Sequence, residues 1–344
     1  MRILFVTNMY PSPERPGYGG FVWQQAEQLR QFGHVVDVIN ILGFRSRLNY
    51  LKGALEVLRK TSRTEYDVVH AHYGQSAFPA WFRLKAPLVI TLHGSDVLQR
   101  GLFQSFCSRV ASHLADAVIV VSEEMRRRIP GLVIQCGVDM NVFRPYDRDE
   151  ARLRLGWPKD KCLILFPFDP ARPVKRYDLA KAAVERVVKE GVDAELITAF
   201  NVENREMPWY YSAADAMILC SDSEGSPTSV KEALACNLPV VATGVGDIRE
   251  IMSGIEGTRI CTQEVGEIAR SLREVLDISH RGGCDRRTAM TRYDQTRTVE
   301  KIVDLYGDVV RRFRTREECR RSPRAAGLNV RTPPRKKRSS SKSH

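Results

Sequence analysis

The sequence predicts an α/β protein of two domains, each built on a parallel sheet. Short apolar runs alternate with helical patterns along most of the 344 residues, which is typical of parallel strands covered by helices on both faces. A polar, proline-containing stretch at residues 143–158 separates two such series, and a chain of this length has room for two domains. We expect domains at residues 1–145 and 146–316 that face each other across a cleft, then a disordered basic tail at 317–344.

The first domain begins with an apolar run that we interpret as a strand rather than a signal peptide. Its predicted strands are residues 2–7, 35–42, 67–72, 88–94, 117–122 and 132–137. A loop with Gly17, Gly19 and Gly20 precedes a predicted helix at residues 21–34, which Gly33 ends.

Residues 47–60 predict an amphipathic helix with four leucines on one face: Leu48, Leu51, Leu55 and Leu58. We expect this leucine face to pack on the sheet. The alternative is that it docks, with the arginines and lysines around it, on an anionic membrane.

The second domain repeats the alternation. Its predicted strands are residues 163–168, 194–198, 216–220, 238–242 and 258–261, and its predicted helices are 178–190, 264–276 and 297–315. One alternative is that the last helix packs back on the first domain. The pattern indicates two Rossmann-like domains, and open sheets of this kind bind ligands at the carboxyl ends of their strands.

Composition and charge limit the possible functions. Nine of the positive charges lie in residues 320–344, which contain no acid, so residues 1–319 carry only +3 of the net charge of +12. The tail has no aromatic residue to stack on bases, so we expect no specific nucleic-acid binding. The eight cysteines are scattered without a CxxC pair, which argues against a zinc site and suits a reducing cytoplasm. A peripheral position at the cytoplasmic face of the plasma membrane remains an alternative.

Residues 223–243 predict a ligand-binding loop, a helix start and a strand. We expect Ser226 to cap the helix and Pro227 to take its first position, which leaves the amides of Thr228, Ser229 and Val230 facing the loop. Free amides at a helix N-terminus favour a phosphate group. Glu224 and Glu232 flank these amides, and carboxylates accept hydrogen bonds from sugar hydroxyls. This combination suggests a nucleotide sugar.

Several motifs then resemble the family-4 retaining glycosyltransferases, which have the two-domain GT-B fold. Glu224 and Glu232 match the E-x7-E pair of that family, and residues 133–145 are similar to its linker. DVVHAHYG at 67–74, TLHGSD at 91–96 and the loop with Gly19 and Gly20 match its first domain. The resemblance covers residues 1–315, and the EGSP-type loop favours a subgroup that acts in polysaccharide synthesis.

The resemblance implies specific roles. Glu232 would hold the ribose, Glu224 and His93 would lie at the donor sugar, and Arg172 and Lys175 would stabilise the departing diphosphate. The backbone from Gly225 through Ser226, Pro227 and Thr228 to Ser229 would cradle the sugar and pyrophosphate, while Gly19 and Gly20 would approach donor and acceptor. We expect a UDP-sugar as donor, a glycan or polyprenyl-linked acceptor, no metal and no other cofactor.

Two other functions remain open: a sugar-nucleotide epimerase on the same fold, and a non-catalytic protein that binds a membrane or nucleic acid. Two lesser expectations concern single motifs. His70 and His72 are expected to face opposite ways along their strand, with at most one near the cleft. Asp147 and Asp149 form a DxD sequence, which we interpret as helix capping and not as a metal site.

Overall fold

Two parallel sheets organise the chain, one in each half. The computed structural model describes residues 1–98, 102–281 and 284–321. The first sheet contains β1 Arg2–Thr7, β2 Val35–Asn40, β3 Val68–His72, β4 Leu88–Leu92, β5 Ala117–Val120 and β6 Leu132–Val133. Its strands lie in the order β2-β1-β3-β4-β5-β6, and every pair is parallel. The helices in this half are α1 Gly20–Gln31, α2 Asn49–Arg63, α3 Gly74–Ala80, α4 Leu102–Leu114 and α5 Glu123–Arg126.

The second sheet has five parallel strands. They are β7 Cys162–Phe166, β8 Ala194–Thr198, β9 Ala216–Leu219, β10 Val240–Thr243 and β11 Thr258–Cys261, in the order β11-β10-β9-β7-β8. The helices are α6 Arg148–Leu155, α7 Tyr177–Lys189, α8 Met207–Ala213, α9 Thr228–Ala235, α10 Ile248–Ile251, α11 Val265–Arg281 and α12 Gln295–Arg321, with 3₁₀ helices at Pro173–Lys175 and Thr288–Tyr293. The predicted pair of Rossmann-like α/β domains is confirmed.

The central strands explain why the sequence shows continuous apolar runs. Ile3, Leu4, Phe5 and Val6 of β1 have no exposed surface. Leu4 and Val6 enter the core under one sheet face, while Ile3 and Phe5 enter the core under the other. A strand buried on both faces has no polar side, so alternation disappears from its sequence.

Helix α12 returns to the first domain. Its apolar side chains Val299, Ile302, Tyr306 and Val309 are buried in the same core as Ile3. The helix also extends beyond the predicted 297–315, so residues 317–321, which the sequence places in the tail, are helical instead. Its basic end lies near first-domain carboxylates, since Arg314 is 3.1 Å from Asp67 and Arg316 is 3.5 Å from Asp116. The rest of the predicted tail, 322–344, lies outside the described residues.

The packing of α2 contradicts the prediction. Gly53, Ala54, Val57 and Thr61 are its buried residues, whereas the leucine face is exposed. The buried side of α2 is the side with small residues because it lies very close to its neighbours. A Cβ on Gly53 would already lie 3.1 Å from Ile41. A leucine does not fit into such a close contact.

The capping interpretation of Asp147 is confirmed. Its carboxylate accepts a 2.9 Å hydrogen bond from the Glu150 amide at the start of α6. Among the described residues, no group of His, Cys, Asp and Glu side chains is arranged to hold a metal ion. In the same residues no helix is both long enough and apolar enough to span a bilayer.

Candidate active site between the two domains

The loops that follow β4 and β9 touch each other across the cleft. Gly94 has φ +112°, and a Cβ built on it would lie 2.7 Å from the Cα of Gly225. A Cβ on Gly225 would lie 2.4 Å from the carbonyl oxygen of His93. Real side chains do not fit at such distances, so glycine at both positions allows the two backbones to meet. The carboxyl ends of one strand from each sheet therefore meet at one point.

His93 lies at this contact as a half-buried, neutral imidazole. Its Nε2 is 3.1 Å from Nδ1 of His72, and its ring lies 4.8 Å from the rings of both Phe21 and Tyr73. Burial lowers the pKa of His93 to about 3. The ring therefore stays uncharged near neutral pH and offers a hydrogen bond rather than a positive charge.

Asp96 fixes the turn that carries His93. One carboxylate oxygen accepts 3.0 Å bonds from the amides of His93 and Gly94, and the other accepts a 3.2 Å bond from the amide of Gly74. Burial raises the pKa of Asp96 to about 6, against the lowering effect of these amides. Asp96 lies inside the TLHGSD motif, but the sequence did not reveal this positioning role.

His70 and His72 face the same way, contrary to the expectation. Their rings stack with centroids 4.3 Å apart, since residues two apart on a strand share a face. His70 lies 2.5 Å from the hydroxyl of Tyr306 and 2.7 Å from that of Thr91, whereas His72 contacts His93. The pair thus connects α12 to the cleft.

Glu224 and Lys175 form a largely buried ion pair on the second-domain side. The Lys175 ammonium is 2.6 Å from a Glu224 carboxylate oxygen, and the two side chains are 10% and 13% exposed. The same ammonium lies 4.1 Å above the ring of Phe168. Lys175 ends the 3₁₀ helix that follows β7, so both charges come from strand-end loops. The sequence analysis assigned Glu224 to the donor sugar and Lys175 to the diphosphate, and the structure pairs the two side chains with each other.

Arg172 lies three residues earlier and is exposed. Burial raises the pKa of Tyr73 well above its usual value, and the positive charge of Arg172 acts against that shift. Arg172 acts in the same way on Tyr18 of the glycine loop. Both tyrosines belong to the first domain, so the charge of Arg172 acts across the cleft. Within the described part of the chain it has no carboxylate partner, so its charge is available to an anion.

Glu232 is buried on α9 at a second contact between the domains. Its carboxylate accepts a 2.9 Å bond from the Tyr211 hydroxyl. Burial raises the pKa of Glu232 to about 7, while hydrogen bonds from Tyr211, Asn204 and Gln24 act in the opposite direction. Gln24 of α1 also donates a 2.6 Å bond to Asn204. Sequence motifs did not indicate Gln24 or Asn204, because the contact joins residues 180 positions apart.

The glycine loop lies beside this second contact. Gly19 has φ +72°, and a Cβ on Gly20 would lie 3.0 Å from the side-chain nitrogen of Asn204. Gly19 and Gly20 thus lie near Glu232, while His93, Glu224 and Lys175 gather at the first contact.

The start of α9 differs from the prediction. The helix begins at Thr228 with Pro227 in the capping position, and no side chain caps it. Ser226 instead donates a 2.6 Å bond to Asp247 and accepts a 2.7 Å bond from Lys231. The buried charges of Lys231 and Asp247 require partners, and the serine hydroxyl supplies one to each. The first amides of α9 consequently have no side-chain acceptor and remain open to a ligand.

Lys231 is a buried residue that the sequence did not single out. Its side chain has no exposed surface, and its ammonium donates a 2.7 Å bond to the carbonyl of Cys136 in the interdomain linker. The ammonium also lies 3.9 Å from Asp247 and 4.7 Å above the ring of Tyr293. The one available signal was a lysine beside Glu232 on a helix whose residues after Ser229 are otherwise apolar.

Comparisons with known proteins agree with this architecture. Residues 4–141 match the family model "Glycosyltransferase Family 4", and residues 172–277 match "Glycosyl transferases group 1". A relative from Bacillus subtilis, "Putative teichuronic acid biosynthesis glycosyltransferase TuaC", is 28% identical over 73% of this chain and 83% of its own.

Two solved structures share the fold. Sucrose-phosphate synthase from Thermosynechococcus elongatus has a TM-score of 0.73 and 20% identity, covering 90% of this chain and 98% of its own. Anabaena Alr3699/HepE, solved with UDP-glucose, has a TM-score of 0.67 and 19% identity over 90% of this chain and all of its own. The family models match both halves in the expected order, so the chain belongs to the family-4, group 1 glycosyltransferases of the GT-B fold and is a sugar-transferring enzyme.

Proposed function

We propose that the protein is a retaining hexosyltransferase. It moves a hexosyl unit from a nucleotide-diphosphate sugar to a glycan or polyprenyl-linked acceptor. The observation that carries the proposal is the direct contact of the loops His93–Gly94 and Glu224–Gly225 beside Lys175. This contact brings a neutral imidazole, a carboxylate and an ammonium together at the strand ends of two facing sheets, where such folds bind ligands.

The second domain supplies the donor site. Glu232 would accept hydrogen bonds from the ribose hydroxyls, and the uncapped amides at Thr228 and Ser229 would face the diphosphate. Arg172 and Lys175 add positive charge where negative charge develops on the leaving nucleotide. A bound phosphate gives Lys175 a new anionic partner, which frees Glu224 for the hydroxyls of the donor sugar.

The reaction itself is a single transfer on one face of the sugar. The bond from the anomeric carbon to the β-phosphate oxygen breaks, and a bond from the acceptor oxygen to that carbon forms. The acceptor proton moves to the leaving phosphate oxygen, so no protein nucleophile and no metal are required. His93 would hydrogen-bond to the sugar, and Gly19 and Gly20 would let the backbone approach donor and acceptor closely.

Relatives support the choice of substrates. A GT-B neighbour was solved with UDP-glucose, which favours a UDP-sugar donor here. TuaC is described as acting in teichuronic acid biosynthesis, which favours a role in cell-surface polysaccharide or glycoconjugate synthesis. All eight cysteines are unpaired thiols in the structure, and this supports a cytoplasmic location.

A panel of UDP-, GDP- and ADP-sugars tests the proposal. We expect one donor to bind and turn over in the wild type, and Glu232→Ala to weaken its binding. Glu185→Ala, an exposed acid of the same domain, is the matched control and should change nothing. If no nucleotide sugar binds and Glu232→Ala equals the control, the transferase proposal is wrong.

Product analysis separates transfer from epimerisation. A transferase releases a nucleoside diphosphate and converts the acceptor, whereas an epimerase returns a donor with one inverted centre. Analysis of the anomeric configuration of the product tests retention. An inverted linkage would contradict the retaining mechanism while leaving transfer intact.

A further inference from the structure

Three leucines of α2 and Leu48, the residue that precedes the helix, form an exposed stripe. Leu48, Leu51, Leu55 and Leu58 are 64%, 54%, 68% and 38% exposed. They are spaced by three or four residues and therefore lie along one side of the helix. The opposite side holds the buried residues of α2, so the stripe is not a core face.

The exposed apolar area continues across α3. Phe78, Trp81, Phe82 and Leu84 are 46%, 51%, 44% and 41% exposed. Helix α2 packs against α3, and the Thr61 hydroxyl accepts a 3.1 Å bond from the Leu84 amide. Because the two helices pack together, we treat the leucine stripe and these four side chains as one surface, which we call the α2–α3 surface. Apolar patches of this extent mark interaction sites.

The charge beside the stripe selects an anionic partner. Residues 44–63 contain six arginines and lysines and a single acid, Glu56. Lys52, Arg59 and Arg63 are exposed on α2, and Lys85 is exposed just after α3. A second copy of the chain fits poorly, because a twofold contact through this surface would bring the same positive charges together.

The α2–α3 surface adjoins the cleft. The Tyr50 hydroxyl near the start of α2 lies 3.0 Å from both Asn8, which follows β1, and Gln75 at the start of α3. Phe44, just before α2, packs near Tyr18 of the glycine loop with ring centroids 6.4 Å apart. The surface therefore begins at the carboxyl ends of the first-domain strands, on the acceptor side.

We propose that the α2–α3 surface docks on an anionic lipid bilayer. The leucines and aromatic side chains enter the boundary between headgroups and acyl chains, and the lysines and arginines contact the anionic headgroups. Trp81 belongs to this surface, and tryptophan is enriched at the boundary between headgroups and acyl chains. Docking in this orientation brings the glycine loop to the bilayer surface. A lipid-linked acceptor then reaches the cleft without leaving the membrane, a consequence that rests on the proposed function.

Vesicle co-sedimentation of the full chain tests the proposal. We expect binding to vesicles that contain phosphatidylglycerol, weaker binding to phosphatidylcholine alone, and loss of binding as salt is raised. The double variant Leu51→Ser/Leu55→Ser should bind at least about tenfold more weakly, since it removes apolar area that enters the bilayer. Lys52→Glu/Arg59→Glu should lose the preference for the anionic lipid.

Two further full-chain variants serve as controls. Leu153→Ser/Val188→Ser removes apolar side chains of similar exposure from the second domain and should bind like the wild type. Replacement of the four basic residues 335–338 by glutamine tests the RKKR run and should retain most of the binding. Equal binding by Leu51→Ser/Leu55→Ser and the wild type would overturn the proposal, as would loss of binding in the RKKR variant alone.

Donor binding is measured separately on the same variants. A nucleotide-induced rise in Tm should be unchanged in Leu51→Ser/Leu55→Ser, because these positions do not contact the donor loops. Failure to dock while the donor still binds would refute only the membrane proposal. The wild type could instead be a dimer that does not bind vesicles. If only Leu51→Ser/Leu55→Ser then converts the dimer to a monomer, the surface is a contact between copies and not a lipid site.

Discussion

Glu232 is the titratable group of the proposed donor site whose protonation should change near neutral pH. Its pKa is raised to about 7 because the carboxyl group is buried, so folding favours the protonated form. The stability from this preference is fully present below about pH 4.5, where the unfolded group is also protonated. It is lost as pH rises towards about 7. Ribose hydroxyls that donate to the carboxylate would oppose this preference.

We predict that nucleotide affinity rises with pH until about 7. Bound ribose favours the ionised form of Glu232, so below its pKa the affinity should fall by up to about tenfold per pH unit. Calorimetric titration with UDP from about pH 5 to about pH 8 measures this dependence. Glu232→Gln cannot ionise and reports the titration of the ligand itself. An identical slope in this variant would contradict the assignment.

A second prediction at this scale concerns Lys231. Lys231→Met keeps much of the volume but leaves the buried carboxylate of Asp247 without its counter-charge, and should cost about 3 kcal/mol or more in the free energy of unfolding. Urea denaturation measures the cost. The double variant Lys231→Met/Asp247→Asn should recover part of the loss, because no buried charge is left unpaired. A double variant no more stable than Lys231→Met would show that the two charges are not coupled.

At the scale of elements, helix α12 follows the second domain in the chain but packs into the core of the first domain. Its side chains Val299, Ile302, Tyr306 and Val309 are buried against the first sheet. The Tyr306 hydroxyl contacts His70, whose ring stacks on His72, the neighbour of His93. Helix α12 thus contacts β3, the strand that carries His70 and His72.

We predict graded losses of stability at Tyr306. Tyr306→Phe leaves one nitrogen of His70 without its partner and should cost about 1–2 kcal/mol. Tyr306→Ala adds a cavity and should cost about 3–5 kcal/mol. Glu300→Ala, on the exposed side of the same helix, should be close to neutral. Urea denaturation compares the three. Equal stability of Tyr306→Phe and the wild type would show that the contact with His70 contributes nothing.

At the scale of the whole molecule, the contacts between the two domains include one through backbone and one through side chains. Gly94 and Gly225 form the first contact, while Gln24, Asn204 and Glu232 form the second. The second contact occupies the group that we assign to the ribose. If Glu232 binds the ribose as proposed, we expect the domains to separate for donor entry and to close again once the donor is bound.

We predict that Gly94→Ala holds the domains apart. Its Cβ would overlap Gly225, and its φ of +112° is unfavourable for alanine. Small-angle scattering should show a larger radius of gyration, and turnover should fall more than about tenfold. Gly33→Ala is the matched control, because Gly33 has φ +79° but open space around it. If both variants have the same radius of gyration and the same turnover, backbone strain from alanine at positive φ explains the effect, and the contact between domains does not.

Much of this organisation follows from local pattern. Uninterrupted apolar runs indicated strands buried on both faces, and the loops after them held His93, Lys175, Glu224 and Gly225, because strand ends are where such sheets place ligand sites. The resemblance of ordered motifs then indicated the family. These features can be predicted because each depends on residues close together in the chain.

Other features depended on residues far apart in the chain. Leu51 and Leu55 form the more apolar face of α2, yet the small residues Gly53 and Ala54 face the protein because only they fit the close contact with Ile41. Ser226 serves the buried charges of its neighbours rather than the helix start.

The sequence by itself therefore determined the two parallel sheets, the strand-end loops and the acids within them, since periodicity and spacing encode these locally. The tertiary structure alone decided which face of α2 is exposed, that Gln24 and Asn204 reach Glu232, and that α12 completes the first core. Close packing and the pairing of buried polar groups join distant segments, so no local pattern contains them.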